Sequence, residues 1–387
     1  MASTKVKTEN IMTLDAAKIT GAALPALNGA ALTNLPGVTN SASDPLVSTN
    51  PSVVGVAVLN TTSGELFVCT DATAGANIWI NVGTGEGAVG KSFGGQGGGT
   101  VAGYVSGGEP SGSLGGVEKF TFASSNNATS HGNLSLMRGS PTGASSVTHG
   151  FTSGGYGSGQ YRNIIDKWAF SSNTTASDHG DLTTILQSAS GNSSSTHGYN
   201  SGGYPNRISI DKYPFASNSG ATSSGDLITI HYSGAGMNSY SHGYISGGGG
   251  TSSGFIKYIQ KFYFASDSNA TAYNGDLGLE VVSNGGNSSN TDGYSAGGFA
   301  GGPAGAYNTI EKFSFLSDAN ATDHGDLTVA RRNVGSSSSL THGFIAGGNA
   351  PSTGVDVIDK FAFSSNVTGT DVGNLQAGRS ETTGHQN

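Results

Sequence analysis

The chain of 387 residues contains a single cysteine, Cys69, and only 11% charged residues. One cysteine excludes an internal disulfide and any zinc site built on several cysteines. A formal net charge of −8 disfavours nucleic acid and anionic membranes as partners. No apolar run approaches the roughly 20 residues that span a bilayer, and residues 1–12 lack the apolar core of a secretory signal. We therefore expect synthesis in a cytoplasm, without membrane insertion.

Glycine is abundant, with 64 residues, and it belongs to a motif that occurs six times. A Gly-Gly pair begins at residues 107, 154, 202, 247, 297 and 347. A lysine followed by an aromatic residue begins at 119, 167, 212, 261, 312 and 360, and a leucine follows at 134, 182, 227, 277, 327 and 375. Aromatic residues at fixed spacing disfavour disorder. A period of about 45–50 residues predicts a propeller or a solenoid.

The distances between these landmarks separate a constant scaffold from a variable connection. From each leucine to the second glycine of the next pair is 21 residues, as from Leu327 to Gly348. From lysine to leucine is 15 residues in five copies and 16 from Lys261 to Leu277. From the second glycine to the lysine varies between 9 and 14 residues. Loops that vary on a fixed scaffold are where binding residues are usually found.

Each repeat contains four short β segments and none with a helical period. The third segment, residues 357–363 in the last copy, alternates apolar and polar residues with period 2. We predict an all-β fold in which residues 91–387 form a six-bladed propeller of four-stranded blades. Residues 376–387 are expected to close the ring as the inner strand of the first blade, and Lys91–Gly99 is the alternative. A closed ring has no exposed sheet edge of the kind that aggregates.

Two further segments precede the repeats. Residues 1–45 contain short leucine repeats between Gly21 and Pro36, which bury their leucines only when several chains wind together. We expect a trimerising attachment arm, and the alternative is an arm without structure of its own. Residues 46–90 are predicted to be a small β module with strands at 53–59, 65–70 and 78–82. The glycine-rich residues 83–100 are expected to be a hinge or a loose strand.

The repeat resembles the kelch β-propeller repeat. The resemblance rests on the Gly-Gly pair that ends the second strand and on Leu-X-X-X-Arg, which occurs as Leu134–Arg138, Leu327–Arg331 and Leu375–Arg379. The kelch tryptophan is absent, and the arginine position is Leu186, His231 and Val281 in three copies. This resemblance implies a fold and no particular function.

The form of the repeat, with Ile-Asp-Lys-Phe-X-Phe and His-Gly-Asp-Leu, is similar to propellers of marine bacteriophage virion proteins over residues 101–387. Residues 21–36 resemble shaft segments of phage tail fibres, and residues 62–81 resemble a small module of marine phage structural proteins. The resemblance implies a virion protein of tail-fibre type, a homotrimer that attaches to other virion proteins through its arm. Its propeller would bind a host-surface glycan or protein. The alternatives are a structural head or neck decoration and an enzyme that acts on polysaccharide.

The recurring polar residues give no catalytic pattern. Asp323-His324-Gly325-Asp326 suggests a metal or acid–base site, but its counterpart in the first repeat is Ser130-His131-Gly132-Asn133, without a carboxylate. A turn explains all copies, so we expect no catalytic, metal or cofactor site.

Candidate binding residues are therefore taken from the variable loops, because Tyr and Arg on adaptable loops are typical of recognition surfaces. They are Tyr156, Tyr161, Arg162, Tyr204, Arg207, Phe255, Lys257, Phe299 and Tyr307. The alternative is that their rings only cover the ends of the blades.

Overall fold

A computed structural model describes residues 38–62, 65–82, 88–89, 99–109, 115–250, 254–301 and 305–387. Every regular element among them is a β-strand, and they contain no helix. The predicted all-β fold class is therefore confirmed for these residues. The chain divides into two compact units, residues 1–91 and 92–387. The leucine repeats of the predicted arm and most of the predicted hinge lie outside the described residues.

The first unit contains one five-stranded sheet. Its strands, in the order in which they pair, are β1 (Val38–Ser41), β2 (Ala57–Asn60), β3 (Leu66–Asp71), β4 (Ile78–Asn81) and β5 (Ala88–Val89). β1 runs parallel to β2, and the other neighbours are antiparallel. The core of this unit contains Val58, Phe67, Cys69 and Trp79.

The prediction of three strands in this unit was wrong in two respects. The sheet gains a strand on each side, and β1 lies within the segment that was assigned to the arm. The first predicted strand also starts later, at Ala57, because Gly55 has a φ of 91° that an extended strand does not permit. Val53 and Val54 are consequently 60% and 59% exposed.

The second unit contains six antiparallel sheets, one for each sequence repeat, within the described residues. We number them 1 to 6 by the chain order of their second strands, and the strands within each sheet from the first to the fourth.

The first strands are β30 (Thr383–Gln386), β9 (Thr142–Ser145), β14 (Ser190–Ser193), β18 (Ala235–Asn238), β22 (Gly285–Ser288) and β26 (Gly335–Ser338). The second are β6 (Ala102–Ser106), β10 (His149–Ser153), β15 (His197–Ser201), β19 (His242–Ser246), β23 (Asp292–Ala296) and β27 (His342–Ala346). The third are β7 (Gly116–Thr121), β12 (Gln160–Ala169), β16 (Ser209–Pro214), β20 (Tyr258–Tyr263), β24 (Thr309–Ser314) and β28 (Val357–Ala362). The fourth are β8 (Thr129–Asn133), β13 (Ser177–Leu186), β17 (Thr222–Asp226), β21 (Thr271–Asp276), β25 (Thr322–Asp326) and β29 (Thr370–Asn374). Sheet 2 has an additional short strand, β11 (Tyr156–Gly157).

Sheet 1 combines the two ends of the repeat region. Its first strand is β30, which pairs antiparallel with β6, so that Thr383 lies opposite Ser106. Val101 and Ala102 also donate their N–H groups to the carbonyl of Asn387. Of the two segments that the sequence offered for this position, the C-terminal one is therefore paired with β6.

The first strands contact one another in sequence, from β9 through β14, β18, β22 and β26 to β30, and β30 also contacts β9. Two series of hydrogen bonds follow the same order. In one, a residue before each first strand donates its N–H to the carbonyl of its counterpart in the preceding repeat, and the sixth bond returns to the first residue. These residues are Ser140, Ser188, Ser233, Ser283, Asn333 and Glu381. All six have left-handed φ values, between 49° and 61°, which orients the N–H and the carbonyl of each residue toward the neighbouring repeats.

The second series joins the ends of the first strands through side chains. Each main-chain N–H donates to the side-chain oxygen of the equivalent residue in the next sheet, over 2.9 to 3.2 Å. The residues are, in order, Ser145, Ser193, Asn238, Ser288, Ser338 and Gln386, whose N–H donates to Ser145. Small polar side chains at these positions therefore connect the sheets.

Aromatic residues of the third strands fill the space between the sheets. Each lies directly opposite a glycine of the second strand and covers it. The pairs are Gly103–Phe120, Gly150–Trp168, Gly198–Tyr213, Gly243–Phe262, Gly293–Phe313 and Gly343–Phe361. This explains both the glycine after the repeated histidine and the aromatic residue after the repeated lysine.

Candidate binding face

The residue before each repeated lysine has the same structural role in all six sheets. Its side-chain oxygen accepts a hydrogen bond from the main-chain N–H that follows the repeated leucine, over 2.6 to 2.9 Å. The residues are Glu118, Asp166, Asp211, Gln260, Glu311 and Asp359. Where the repeat also has its arginine, an ion pair is added: Arg138–Asp166 at 2.9 Å, Arg331–Asp359 at 3.0 Å, and Arg379–Glu118. In each case the donating N–H belongs to the segment of the preceding sheet, so these side chains connect neighbouring sheets.

Sheet 5 has a buried acid without such an arginine, because the arginine position is Val281. Burial raises the pKa of Glu311 above its usual 4.5. The folded state retains the proton where the unfolded chain has released it, so the free energy of unfolding falls as pH rises from about 4.5 through the raised pKa. Sheet 4 has Gln260 at this position, with the same main-chain hydrogen bond at 2.8 Å.

We therefore expect Glu311→Gln to remove this part of the pH dependence, so that thermal unfolding midpoints measured from pH 4.5 to 7.5 fall less than in the wild type. Glu118→Gln is the matched control. It leaves Arg379 buried without its counter-charge and should cost about 3–5 kcal/mol. Equal, small effects of both substitutions would contradict the different roles of Glu311, an acid without an arginine partner, and Glu118, the partner of Arg379.

The recurring histidines are also engaged in structural contacts. His131, His179 and His324 place Nε2 2.8 to 3.0 Å from a main-chain oxygen of the next sheet. The histidines that begin the second strands place Nδ1 2.8 Å from the hydroxyl of the preceding residue; they are His149, His197, His242 and His342. Among the described residues, no three His, Cys, Asp or Glu side chains are grouped to hold a metal.

The described residues include no helix of the length and apolar character that crossing a membrane requires.

The variable loops begin at a position that is constructed alike in every sheet. The residue after each Gly-Gly pair forms a β-bridge with the residue after the arginine position. The pairs are Glu109–Ser380, Tyr156–Gly139, Tyr204–Gln187, Gly249–Tyr232, Phe299–Val282 and Asn349–Arg332. Sheets 2 to 5 each have an aromatic residue in this pair, and in sheet 4 it comes from the opposite member, Tyr232.

Four tyrosines form a continuous series of ring contacts, which we call the tyrosine row. The ring centroids of Tyr156 and Tyr161 are 5.4 Å apart, those of Tyr161 and Tyr204 are 5.8 Å apart, and those of Tyr204 and Tyr232 are 6.0 Å apart. Tyr156 and Tyr204 are 39% and 41% exposed. The row thus presents aromatic surface and hydroxyl groups across sheets 2, 3 and 4.

A second group of rings lies at sheets 4 and 5. The ring centroids of Phe255 and Phe299 are 5.9 Å apart, and the guanidinium carbon of Arg332 lies 4.3 Å from the Phe299 centroid. Such a cation–π contact is worth about 0.5–2 kcal/mol and fixes the orientation of the arginine. We call these three residues the phenylalanine–arginine cluster.

The other candidate residues have different surroundings. Arg162 donates to the carbonyl of Gly157 at 2.9 Å and to the side chain of Gln160. Arg207 is half-buried. Lys257 is half exposed and lies 3.5 Å from the carboxylate of Asp276. Tyr307 packs against the hydrophobic core between sheets 4 and 5, so its ring contributes to packing.

Tyr232 and Arg332 are site residues that the sequence analysis did not select. Both follow the arginine position directly, at a constant distance from the repeated leucine, and therefore lie outside the variable loops. The signal was present in the sequence: the residues after the arginine position are Ser380, Gly139, Gln187, Tyr232, Val282 and Arg332, which share no chemical character. Such variation at a constant position is itself typical of a surface site.

Comparison with known protein families and with curated proteins finds no match to this chain.

Proposed function

We propose that the six sheets of the second unit are the blades of a closed, kelch-like propeller. The support is the order of contacts among the first strands, from β9 to β30 and back to β9, together with the two series of six hydrogen bonds that return to their first residues. An open stack of repeats would leave the two terminal sheets without this partner.

We further propose that this propeller binds a receptor through the tyrosine row and the phenylalanine–arginine cluster. The observation that carries the proposal is the continuous ring contact of the tyrosine row across sheets 2, 3 and 4, in which Tyr156 and Tyr204 are exposed. Tyrosines offer large contact areas and hydrogen-bonding hydroxyls at low cost in conformational entropy, as binding surfaces require. A host-surface glycan or protein is the proposed partner. Binding is favoured over catalysis because the repeated acids are engaged in hydrogen bonds that connect neighbouring sheets.

The resemblance of the repeats to phage virion proteins supports a proposed role in host attachment. In the proposed arrangement, residues 1–45 attach to other virion proteins and trimerise, and the propeller is the part that meets the host. Its location would be the virion. These proposals rest on the sequence pattern, whereas the receptor site rests on the geometry of the tyrosine row.

Replacing Tyr204 with alanine is expected to reduce binding most, because Tyr204 joins Tyr161 to Tyr232. Loss of a central aromatic contact costs about 2 kcal/mol or more, which is a weakening of about thirtyfold. The measurement is binding of the purified protein to host cells and to a glycan array. Tyr240→Ala is the matched control, since Tyr240 is 65% exposed on the turn between β18 and β19, at the other end of its sheet.

Unchanged host binding by Tyr204→Ala would remove the tyrosine row from the receptor site. If the wild-type protein bound neither cells nor glycans, the alternative of a purely structural virion component would be favoured.

A further inference from the structure

Sheet 4 contains the one repeat in which lysine and leucine are 16 residues apart, and the additional residue alters its fourth strand. In sheet 3, the pairing moves from Asp211–Ser223 to Ile210–Gly225 and leaves one residue unpaired. In sheet 4 it moves from Ile259–Tyr273 to Tyr258–Asp276, so that both Asn274 and Gly275 are unpaired. A wider bulge of this kind displaces the strand and redirects its side chains.

A crevice of about 460 Å³ lies at this bulge. Ile228, Tyr258 and the buried Ile259 supply apolar walls, while Thr229 and Asn274 supply polar groups. Its size and its mixture of apolar walls with few polar groups are typical of small-molecule sites. It shares no residue with the tyrosine row or with the phenylalanine–arginine cluster.

The charges around the crevice favour a neutral ligand. Asp276 lines it and lies 3.5 Å from the ammonium group of Lys257, with side chains 41% and 50% exposed. No other lining residue is charged within the described part of the chain. The carboxylate of Asp276 accepts hydrogen bonds from hydroxyl groups. A nearby side-chain amide, such as that of Asn320, both accepts hydrogen bonds from hydroxyl groups and donates to them. Tyr258 and Ile228 suit an apolar ring face.

We propose that this crevice is a binding site for a neutral hexopyranose unit. The apolar C–H face of the sugar packs against Tyr258 and Ile228, and its hydroxyls meet Asp276, Asn274 and Asn320. The site depends on the additional residue of the fourth strand, so it is specific to sheet 4. It stands independently of the receptor site at the tyrosine row.

The test is ligand-observed NMR on the full chain with methyl glycosides of glucose, galactose and mannose as probes at about 20 mM, because a monosaccharide with few contacts binds at millimolar Kd. Deleting Asn274 restores the spacing of the other repeats and should abolish binding. Ala272→Trp places a large side chain at an exposed position that lines the crevice, and should weaken binding about tenfold or more. It keeps the test valid if the deletion variant does not fold.

Binding that persists in Tyr204→Ala and is lost in Ala272→Trp is the expected result. No binding of any probe to the wild type would overturn the proposal, as would binding that Ala272→Trp leaves unchanged. Binding lost in Tyr204→Ala but retained in Ala272→Trp would assign the sugar to the tyrosine row. That result would overturn the crevice site and support the receptor site.

Discussion

Deleting residues 382–387 is expected to abolish cooperative folding of the repeat unit. The deletion removes β30, the pairing partner of β6. It also removes His385, which is buried, with Nε2 2.9 Å from the hydroxyl of Ser106 and Nδ1 3.1 Å from the carbonyl of Ala144. Losing a strand of main-chain hydrogen bonds and a buried side chain should cost more than ~5 kcal/mol, comparable to the entire stability of many domains.

The measurement is the thermal transition by circular dichroism, together with size-exclusion chromatography, since β6 becomes an unpaired edge that favours aggregation. A synthetic peptide of residues 382–387 added in trans is the control, and it should restore the transition by pairing with β6. If the deleted protein kept the transition of the wild type, the proposed closure of the repeat unit by β30 would be excluded.

Gly293→Ala is expected to destabilise the protein, because the added methyl group overpacks the space beside Phe313. A methyl carbon at this position would lie 2.5 Å from Cζ of Phe313 and 3.0 Å from Cε1 of Phe315. Phe313 is 2% exposed and makes ring contacts with Tyr244 and Tyr273, so the ring has no free space to enter. Overpacking of this kind costs about 1–3 kcal/mol, and Phe313→Ala should cost about 3–5 kcal/mol.

The double variant distinguishes the clash from any other effect of the substitution. With alanine at 313, the closest clash of the methyl group at 293 is removed and only the longer contact with Phe315 remains, so the double variant should lose less stability than the sum of the two single losses. Denaturant unfolding gives the four free energies of this cycle. Gly254→Ala is the matched control, because a side chain there meets nothing within 4 Å. Strictly additive losses would show that Phe313 does not cover Gly293.

Much of the fold was predictable because it is local and repeated six times. The alternation of residues 357–363 specifies a strand without reference to the rest of the chain, and β28 (Val357–Ala362) lies there. Prediction failed in the first unit, where β1 comes from the segment assigned to the arm. A parallel strand that is distant in sequence from its partner leaves no local pattern.

The candidate site was predictable in position but not in composition. The variable loops do supply Tyr156, Tyr161 and Tyr204, yet Tyr232 and Arg332 complete the ring contacts from a connection of constant length. Tyr307 was selected because it lies in a variable loop, but its ring packs against the core. Sequence spacing identifies which segments are free to vary, and it does not show which side chains turn inward.

The sequence by itself determined the number of repeats, the strands within each repeat and the structural role of its recurring polar residues, because these follow from spacing and from local hydrogen-bonding chemistry. Only the tertiary structure decided that β30 pairs with β6, which rings meet in the tyrosine row, and that the additional residue of β21 leaves a crevice beside Tyr258. These features join residues that are far apart in the chain. Their distances are set by the packing of whole sheets, for which no single segment of the sequence contains the information.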